Sequence, residues 1–305
     1  MAGLLEGKCA VITGSGRGQG REIAIAMAEQ GVKVVVNDLG GETDGTGSDH
    51  TPADEVVAEI TKQGGTAVAN YDDVADFNAA ANIINTSVKE FGRIDILINC
   101  AGIGGKRAEH FWETSKEDWD TVIAVNLNGT FNTCRHALAE MVKQGTGRII
   151  NFSSPAWLGM AANAYTASKG AVVSLSTGIA HMLEFEGHAI TCNALIPIAE
   201  TRMSPRRGGD IWEKYYKAGL ITRQIYEESS DPPDPEHVIA AVLYMATDEA
   251  ANINGQVIGA SRGRVALYSW PTETNGIYKD GVWTLEELVK LFPASFSRNL
   301  QKRRG

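Results

Sequence analysis

Tyr165 and Lys169 give this 305-residue chain its clearest capacity for proton chemistry. A tyrosine with a pKa near 10 is a poor base at neutral pH, so a fixed cation must stabilise its phenolate. Positions four apart share one face of a helix, and a helical Tyr165–Lys169 segment sets phenol and ammonium side by side. Such a pair can take a hydroxyl proton while a hydride leaves the carbon. A serine upstream, Ser153 or Ser154, follows the apolar run Ile149–Phe152 and can polarise the substrate oxygen. The second constellation is Thr13-Gly14-Ser15-Gly16-Arg17-Gly18-Gln19-Gly20, between the apolar run Cys9–Thr13 and Arg21-Glu22-Ile23. Glycines allow positive φ and let backbone approach a diphosphate, and a helix N-terminus offers free N–H groups and a positive dipole. Between a strand and a helix, the string reads as a dinucleotide cradle more readily than as a plain turn. Asp38 ends Val34-Val35-Val36-Asn37, 18 residues beyond Gly20, where a carboxylate can accept hydrogen bonds from an adenosine ribose. The alternative is that Asp38 only starts the turn at Gly40-Gly41. The ribose role favours NAD over NADP, because a 2′-phosphate about 4 Å from a carboxylate costs on the order of 4 kcal/mol at an effective dielectric near 20.

These residues need a scaffold that alternates strands and helices. Cys9–Thr13, Val32–Asn37, Ala67–Asn70, Ile94–Asn99, Ile149–Phe152 and Ile190–Leu195 read as strands buried on both faces, with Gly255–Gly259 as a last short one. Helix-period segments lie between them: Arg21–Glu29, Ala53–Lys62, Asn78–Glu90, a long one from Lys116 to Lys143, and Ala164–Glu184. Right-handed βαβ crossovers then give an α/β, doubly wound parallel sheet, a Rossmann fold. Two stretches break the pattern. Gly40–Thr51 reads as a surface insertion, and Thr201–Pro235 as a mobile loop near the site. Residues 1–260 are expected to form one domain that includes a substrate loop at about 201–235, and residues 261–305 a C-terminal appendage packed on it.

Composition narrows the function classes. The net charge of −9 and a sequence pI near 5.2 disfavour nucleic acid as a partner. No apolar run approaches the roughly 20 residues that span a bilayer. Met1–Lys8 has no apolar core of the secretory kind, so a cytoplasmic protein is expected. Cys9, Cys100, Cys134 and Cys192 lie far apart, without the close pairs of zinc sites or redox dithiols, and no metal site is expected.

The glycine turn, Asn99-Cys100-Ala101-Gly102 and Tyr165-Thr166-Ala167-Ser168-Lys169 together resemble the short-chain dehydrogenase/reductase family over about residues 6 to 260. Gly14, Gly18 and Gly20 fit that family's TGxxxGxG spacing, and Cys100 stands where its NNAG segment has a second Asn. Val36-Asn37-Asp38-Leu39-Gly40-Gly41 and Pro197-Ile198-Ala199-Glu200-Thr201-Arg202-Met203 resemble, more narrowly, the (3R)-hydroxyacyl-CoA and 17β-hydroxysteroid dehydrogenase branch found in peroxisomal multifunctional enzymes of type 2 and bacterial relatives. The resemblance implies NAD as cofactor. It makes Asn126, Ser154, Tyr165 and Lys169 the catalytic set, with Lys169 also on the nicotinamide ribose and in a proton path through Asn126 and water. Ser154 lies 11 residues before Tyr165 and Ser153 lies 12 before it, where the family usually has 13; alignment from the strand end favours Ser154. Cofactor contacts are implied for Gly14, Ser15, Arg17, Gly18, Gln19, Gly20, Asp38, Asp73, Val74, Asn99, Ala101, Gly102, Tyr165, Lys169, Pro197 and Thr201, with Asp72 competing with Asp73 for the adenine.

The expected function is NAD-dependent interconversion of a secondary alcohol and a ketone, on a 3-hydroxyacyl-CoA or a steroidal or cyclic alcohol. Arg202, Arg206 and Arg207 could grip the phosphates of CoA or belong to a solvated loop. A homodimer or homotetramer is expected. The alternative is a catalytically silent subunit that binds NAD, against which the intact proton pair speaks.

Overall fold

The computed structural model describes residues 3–106, 108, 110–203 and 209–296. Strand β1 (Cys9–Thr13) lies fully buried in a single sheet with β2 (Lys33–Asn37), β3 (Thr66–Asn70), β4 (Ile96–Asn99), β5 (Gly147–Phe152), β6 (Ile190–Pro197), β7 (Val257–Ser261) and β8 (Arg264–Leu267). Their order is β3-β2-β1-β4-β5-β6-β7-β8. All neighbours run parallel except β8, which pairs antiparallel with β7 through Ile258↔Leu267 and Ala260↔Val265. The chain turns away from β1 in opposite directions toward β2 and β4, so the ends of both strands open a crevice at that reversal.

Helices cover both faces: α1 (Gly18–Glu29), α2 (Thr51–Lys62), α3 (Phe77–Phe91), α4 (Lys116–Ile123), α5 (Gly129–Gln144), α6 (Ala164–Phe185), α7 (Gly209–Lys217), α8 (Arg223–Ser230), α9 (Glu236–Ala246) and α10 (Leu285–Phe296). On one face Ile23, Met27, Val56, Ile60 and Val242 pack on Ile12, Val34, Ile96 and Ile150. On the other, Ile83, Ile84, Met141 and Leu183 pack on Val11, Val35, Leu97 and Ile149. Central strands are therefore the continuous apolar runs that a sheet covered on both sides requires. β3 departs from that expectation: as an edge strand it is only half-buried.

Local chemistry sets the helix starts that matter for the site. Asn163 Oδ1 accepts the Thr166 N–H at 2.8 Å and so fixes the first turn of α6, the turn that carries Tyr165. Asp76 caps α3 by accepting from the Asn78 and Ala79 N–H groups. The long segment expected from Lys116 to Lys143 is one helical rod with a π-helical stretch at Ala124–Asn128 between α4 and α5.

Three segments differ from their sequence reading. The insertion 40–51 folds inward: the Gly104 N–H donates to Thr43 O at 2.9 Å, and a side chain at Gly45 would collide with Ile103. The stretch expected as a loop over 201–235 holds α7 and α8, whose Trp212, Tyr215, Tyr216, Ile225 and Tyr226, with Ile221 from the connection between them, pack with Leu158 and Met160. Aromatic residues spaced among polar ones supply enough burial for two short helices, a pattern hidden by the Gly and Pro at either end of the stretch. The appendage packs at its root, where Tyr268 and Trp270 meet Val173, Ile196 and Val257. Beyond that root α10 buries none of its residues within this chain. No helix among the described residues is long and apolar enough to cross a membrane.

Candidate active site

The crevice between β1 and β4 is lined first by glycines. Gly14 has φ +64°, and a Cβ there would stand 2.7 Å from Ala101 Cα, so the turn after β1 touches the loop after β4. A Cβ on Gly20 would come within 2.2 Å of Gly14 O, which lets α1 start directly under the turn. Gly18, by contrast, has φ +56° and nothing near its missing side chain, so its backbone faces open space at the α1 N-terminus. Arg17 precedes that helix without a side-chain cap and lies 3.9 Å from Asp49. The open Gly18 backbone and uncapped helix end fit an anionic diphosphate. The turn after β1 and the start of α1 therefore suit a dinucleotide.

Asp38 stands beside this turn. Its Oδ2 accepts the Gly16 N–H and its Oδ1 the Gly40 N–H, each at 2.7 Å. Both carboxylate oxygens are thereby oriented, each with lone-pair capacity left for a ribose hydroxyl. A side chain at Gly16 would displace Asp38 and Pro52, a requirement that the glycine spacing alone did not reveal. Asp73 Oδ1 accepts the Ala75 N–H at 2.9 Å, whereas Asp72 Oδ2 accepts from Asn70. Val74 is buried, lies against Gly129 and receives a hydrogen bond from Asn132 Nδ2 on its carbonyl.

Two expected cofactor contacts turn inward instead. The Ser15 hydroxyl is fully buried and donates to Ile12 O at 2.7 Å, and its N–H donates to Asn37 O, so it braces the turn. Asn99 is buried too: its Nδ2 donates to Asn151 Oδ1 at 2.9 Å and its Oδ1 accepts from Thr133. Nδ2 also donates to Cys134 Sγ at 3.3 Å, so the amide ties β4 to β5 and α5, and both of its donors are engaged away from the crevice. The residue that sequence reasoning missed is Thr13, whose Oγ1 accepts the Ala101 N–H at 3.2 Å and so sets the spacing between the two loops. Its place ahead of Gly14 in the TG pair was the available signal.

At the other end, Gly102 brings the catalytic candidates together: a Cβ there would lie 3.4 Å from both Asn126 Oδ1 and Lys169 Nζ. Asn126 is fully buried, donating to Ile103 O at 3.0 Å and accepting the Ile103 N–H at 2.9 Å. Lys169 Nζ donates to Phe152 O at 2.8 Å and lies 5.8 Å from the Tyr165 ring centroid. Burial depresses its pKa from 10.5 to about 8, with the Cys100 thiol in its field. Tyr165 does not have the lowered pKa expected from a lysine neighbour: burial raises it, while a hydrogen bond from Ser154 pulls in the other direction. The ammonium is tied to the Phe152 carbonyl, and desolvation dominates at the phenol.

The two serines separate clearly. Ser153 is buried and its hydroxyl donates to Lys169 O at 2.8 Å, whereas Ser154 contacts the phenol. Cys100 sits between Gly20, Asp38 and Lys169, and burial pushes its thiol up to about 12, so it is a neutral filler there. Gln19 is buried at the start of α1. Pro197 closes β6 at the same sheet edge, with Thr201 in a short bridge just beyond. Arg202, about half exposed, lies 3.4 Å from Glu42 and 3.5 Å from Gly41 O, linking the stretch after β6 to the insertion. Arg206 and Arg207 lie outside the described residues.

A family profile described as short chain dehydrogenase matches residues 8–210, and the chain belongs to that family. It is therefore an oxidoreductase of a class that uses nicotinamide dinucleotides and acts on CH–OH groups. A solved short chain dehydrogenase from Mycobacterium avium superposes with a TM-score of 0.78 at 34% identity, covering 97% of this chain and 96% of that one. Peroxisomal multifunctional enzyme type 2 of Drosophila melanogaster is 44% identical over 262 residues, which is 85% of this chain but only 39% of the fly protein. The (2S)-[(R)-hydroxy(phenyl)methyl]succinyl-CoA dehydrogenase subunit of Thauera aromatica is 31% identical over 265 residues, 85% of this chain and 97% of that subunit.

Proposed function

We propose that this protein interconverts a secondary alcohol and a ketone with NAD, on a 3-hydroxyacyl-CoA or a related cyclic or steroidal alcohol. The observation that carries the reading is the convergence of Tyr165, Lys169 and Asn126 on Gly102: Lys169 Nζ lies 5.8 Å from the Tyr165 ring centroid, and a Cβ at Gly102 would lie 3.4 Å from both Lys169 Nζ and Asn126 Oδ1. Gly18 and the start of α1 would hold the diphosphate, Asp38 the adenosine ribose, and Lys169 the nicotinamide ribose. A nicotinamide held there would supply the hydride chemistry at the carbinol carbon. Ser154 holds the substrate oxygen against Tyr165, and Tyr165 takes the hydroxyl proton during oxidation. Asn126, clamped on Ile103, keeps the loop after β4 beside Lys169 so that its ammonium can relay the proton outward. Burial holds the phenol above its ordinary pKa, so base action requires a cation at its oxygen, which the Lys169 ammonium would supply.

NAD over NADP is supported by Asp38, whose fixed carboxylate would repel a 2′-phosphate. The CoA thioester is supported by likeness to the Thauera subunit, named for such a substrate, and to the fly multifunctional enzyme. We infer a cytoplasmic homodimer or homotetramer, to be checked by fractionation and sedimentation; the fly relative is named as peroxisomal. The primary test follows NADH absorbance with a panel containing a 3-hydroxyacyl-CoA, a steroidal alcohol and a small cyclic alcohol, each with NAD or NADP. Turnover with NAD and a member of this panel is expected; preference for NADP would overturn the cofactor assignment.

A further inference from the structure

The β7–β8 hairpin reaches the substrate side of the molecule twice. Arg264 at the start of β8 meets Glu228 of α8 through two bonds, Nε to Oε1 at 3.1 Å and Nη2 to Oε2 at 3.0 Å. The side chains are only 27% and 13% exposed. At the far end of β8, Tyr268 packs edge-on against Trp157, with ring centroids 5.9 Å apart. Trp157 belongs to the turn that follows Ser154, and its N–H donates to Ser154 O at 3.0 Å. The antiparallel edge strand, with the residue that follows it, thus touches both the turn that carries the substrate-side serine and the helix pair α7–α8.

That helix pair packs on the segment joining Ser154 to Tyr165. Ile225 and Tyr226 of α8, with Trp212, Tyr215 and Tyr216 of α7, gather around Leu158 and Met160. A fork-shaped, charge-assisted pair shielded from water fixes distance and orientation together, whereas an exposed pair along one helix adds little. α8 provides that contrast itself: Arg223–Glu227 is an i,i+4 pair with side chains 78% and 57% exposed.

We propose that Arg264 is a positioning residue for substrate binding: through Glu228 it holds α8, and the aromatic cluster α8 carries, against the Ser154–Tyr165 segment. The proposal rests on the reading of α7–α8 as the substrate cover, so its test includes a measurement that needs no substrate. Full-length protein with NAD is digested briefly with trypsin, and cleavage after Lys217 and Arg223 is timed by mass spectrometry. Arg264→Met and Glu228→Gln should each speed cleavage at those two sites about tenfold without affecting sites elsewhere, because cleavage tracks the open population of the cover. Glu227→Gln should match the wild type. With 3-hydroxybutyryl-CoA, the same two variants should raise KM for the alcohol about tenfold, keep kcat within about twofold and leave KM for NAD unchanged. The exchange Arg264→Glu with Glu228→Arg should recover most of both effects. Wild-type cleavage rates in Arg264→Met and Glu228→Gln would overturn the proposal, as would a drop in kcat accompanied by a higher KM for NAD, which marks general loosening. If the wild type turns over no 3-hydroxyacyl-CoA, the substrate reading fails while the digestion still decides whether the latch exists.

Discussion

Hydroxyl groups one residue apart do different work here, and geometry separates them. Ser153 spends its hydroxyl on the Lys169 carbonyl, whereas Ser154 contacts the Tyr165 phenol. Ser154→Ala should therefore cut kcat by about 10² while Ser153→Ala keeps turnover and loses about 1 kcal/mol of stability with one buried hydrogen bond. Stopped-flow turnover and urea melts of the two variants check this, and the opposite ranking would move the role to Ser153. Tyr165→Phe should lower kcat by about 10² or more with NAD affinity nearly intact, as judged by turnover and fluorescence titration. Lys169 carries a pH signature. Its folded pKa of about 8 lies below the ordinary 10.5, so between those values the unfolded chain holds a proton that the folded one has released. Stability then rises with pH across that window. Denaturant melts at pH 7.5 and 9.5 should show the wild type gaining on Lys169→Met as pH rises; a constant difference would mean that Lys169 titrates normally. At this scale the YxxxK spacing was legible because helix geometry alone pairs its members. The inward turn of Ser15 and Asn99 was not, because a polar side chain's direction depends on partners from β2, β5 and α5.

Elements repeat that contrast. Buried strands announced themselves by continuous apolar runs, since a strand covered by helices on both faces has no polar side to show. The helices at 209–217 and 223–230 and the inward fold of the insertion were hidden, because each is held by contacts made far away in sequence. Gly20 shows how tightly the first βα unit is drawn together: Gly20→Ala forces a methyl into Gly14 O and should weaken NAD binding at least tenfold, by calorimetry, while the circular dichroism spectrum stays αβ. Asp38→Ala should erode the preference for NAD over NADP, measured as the ratio of kcat/KM values, since it removes both an oriented acceptor and a like charge. An unchanged ratio would show that some other group rejects the 2′-phosphate.

Across the whole molecule, distant parts of the chain meet at Arg148, which is 5% exposed within β5. Its guanidinium donates to Thr247 O at 3.1 Å and Gly147 O at 2.9 Å and pairs with Asp248, which also receives Lys8 from before β1. Arg148→Met would leave buried carbonyls without donors and should cost about 2 kcal/mol, or roughly 4–8 °C in Tm by calorimetry. A shift below one degree would show that water replaces the guanidinium there. The alternation of apolar runs with helix-period segments foretold a single large sheet, and the short run at Gly255–Gly259 foretold its last parallel strand. Neither foretold β8, which lies in the stretch expected as the appendage and whose Val265 and Leu267 are exposed.

The π-helical stretch at Ala124–Asn128 has a consequence for how this protein can change length. A π-helical turn holds more residues than an α-helical one, and Asn126, which lies in it, faces Ile103. Deleting one residue within the stretch would yield a more regular rod, yet rotate everything on one side of the cut by about 100° relative to the other. Either Asn126 would leave Ile103 or α5 would turn Thr133 and Cys134 away from Asn99. Single-residue insertions and deletions are thus barred from this rod even though it would remain an excellent helix, while the irregular, mostly exposed stretch 271–279 can absorb them.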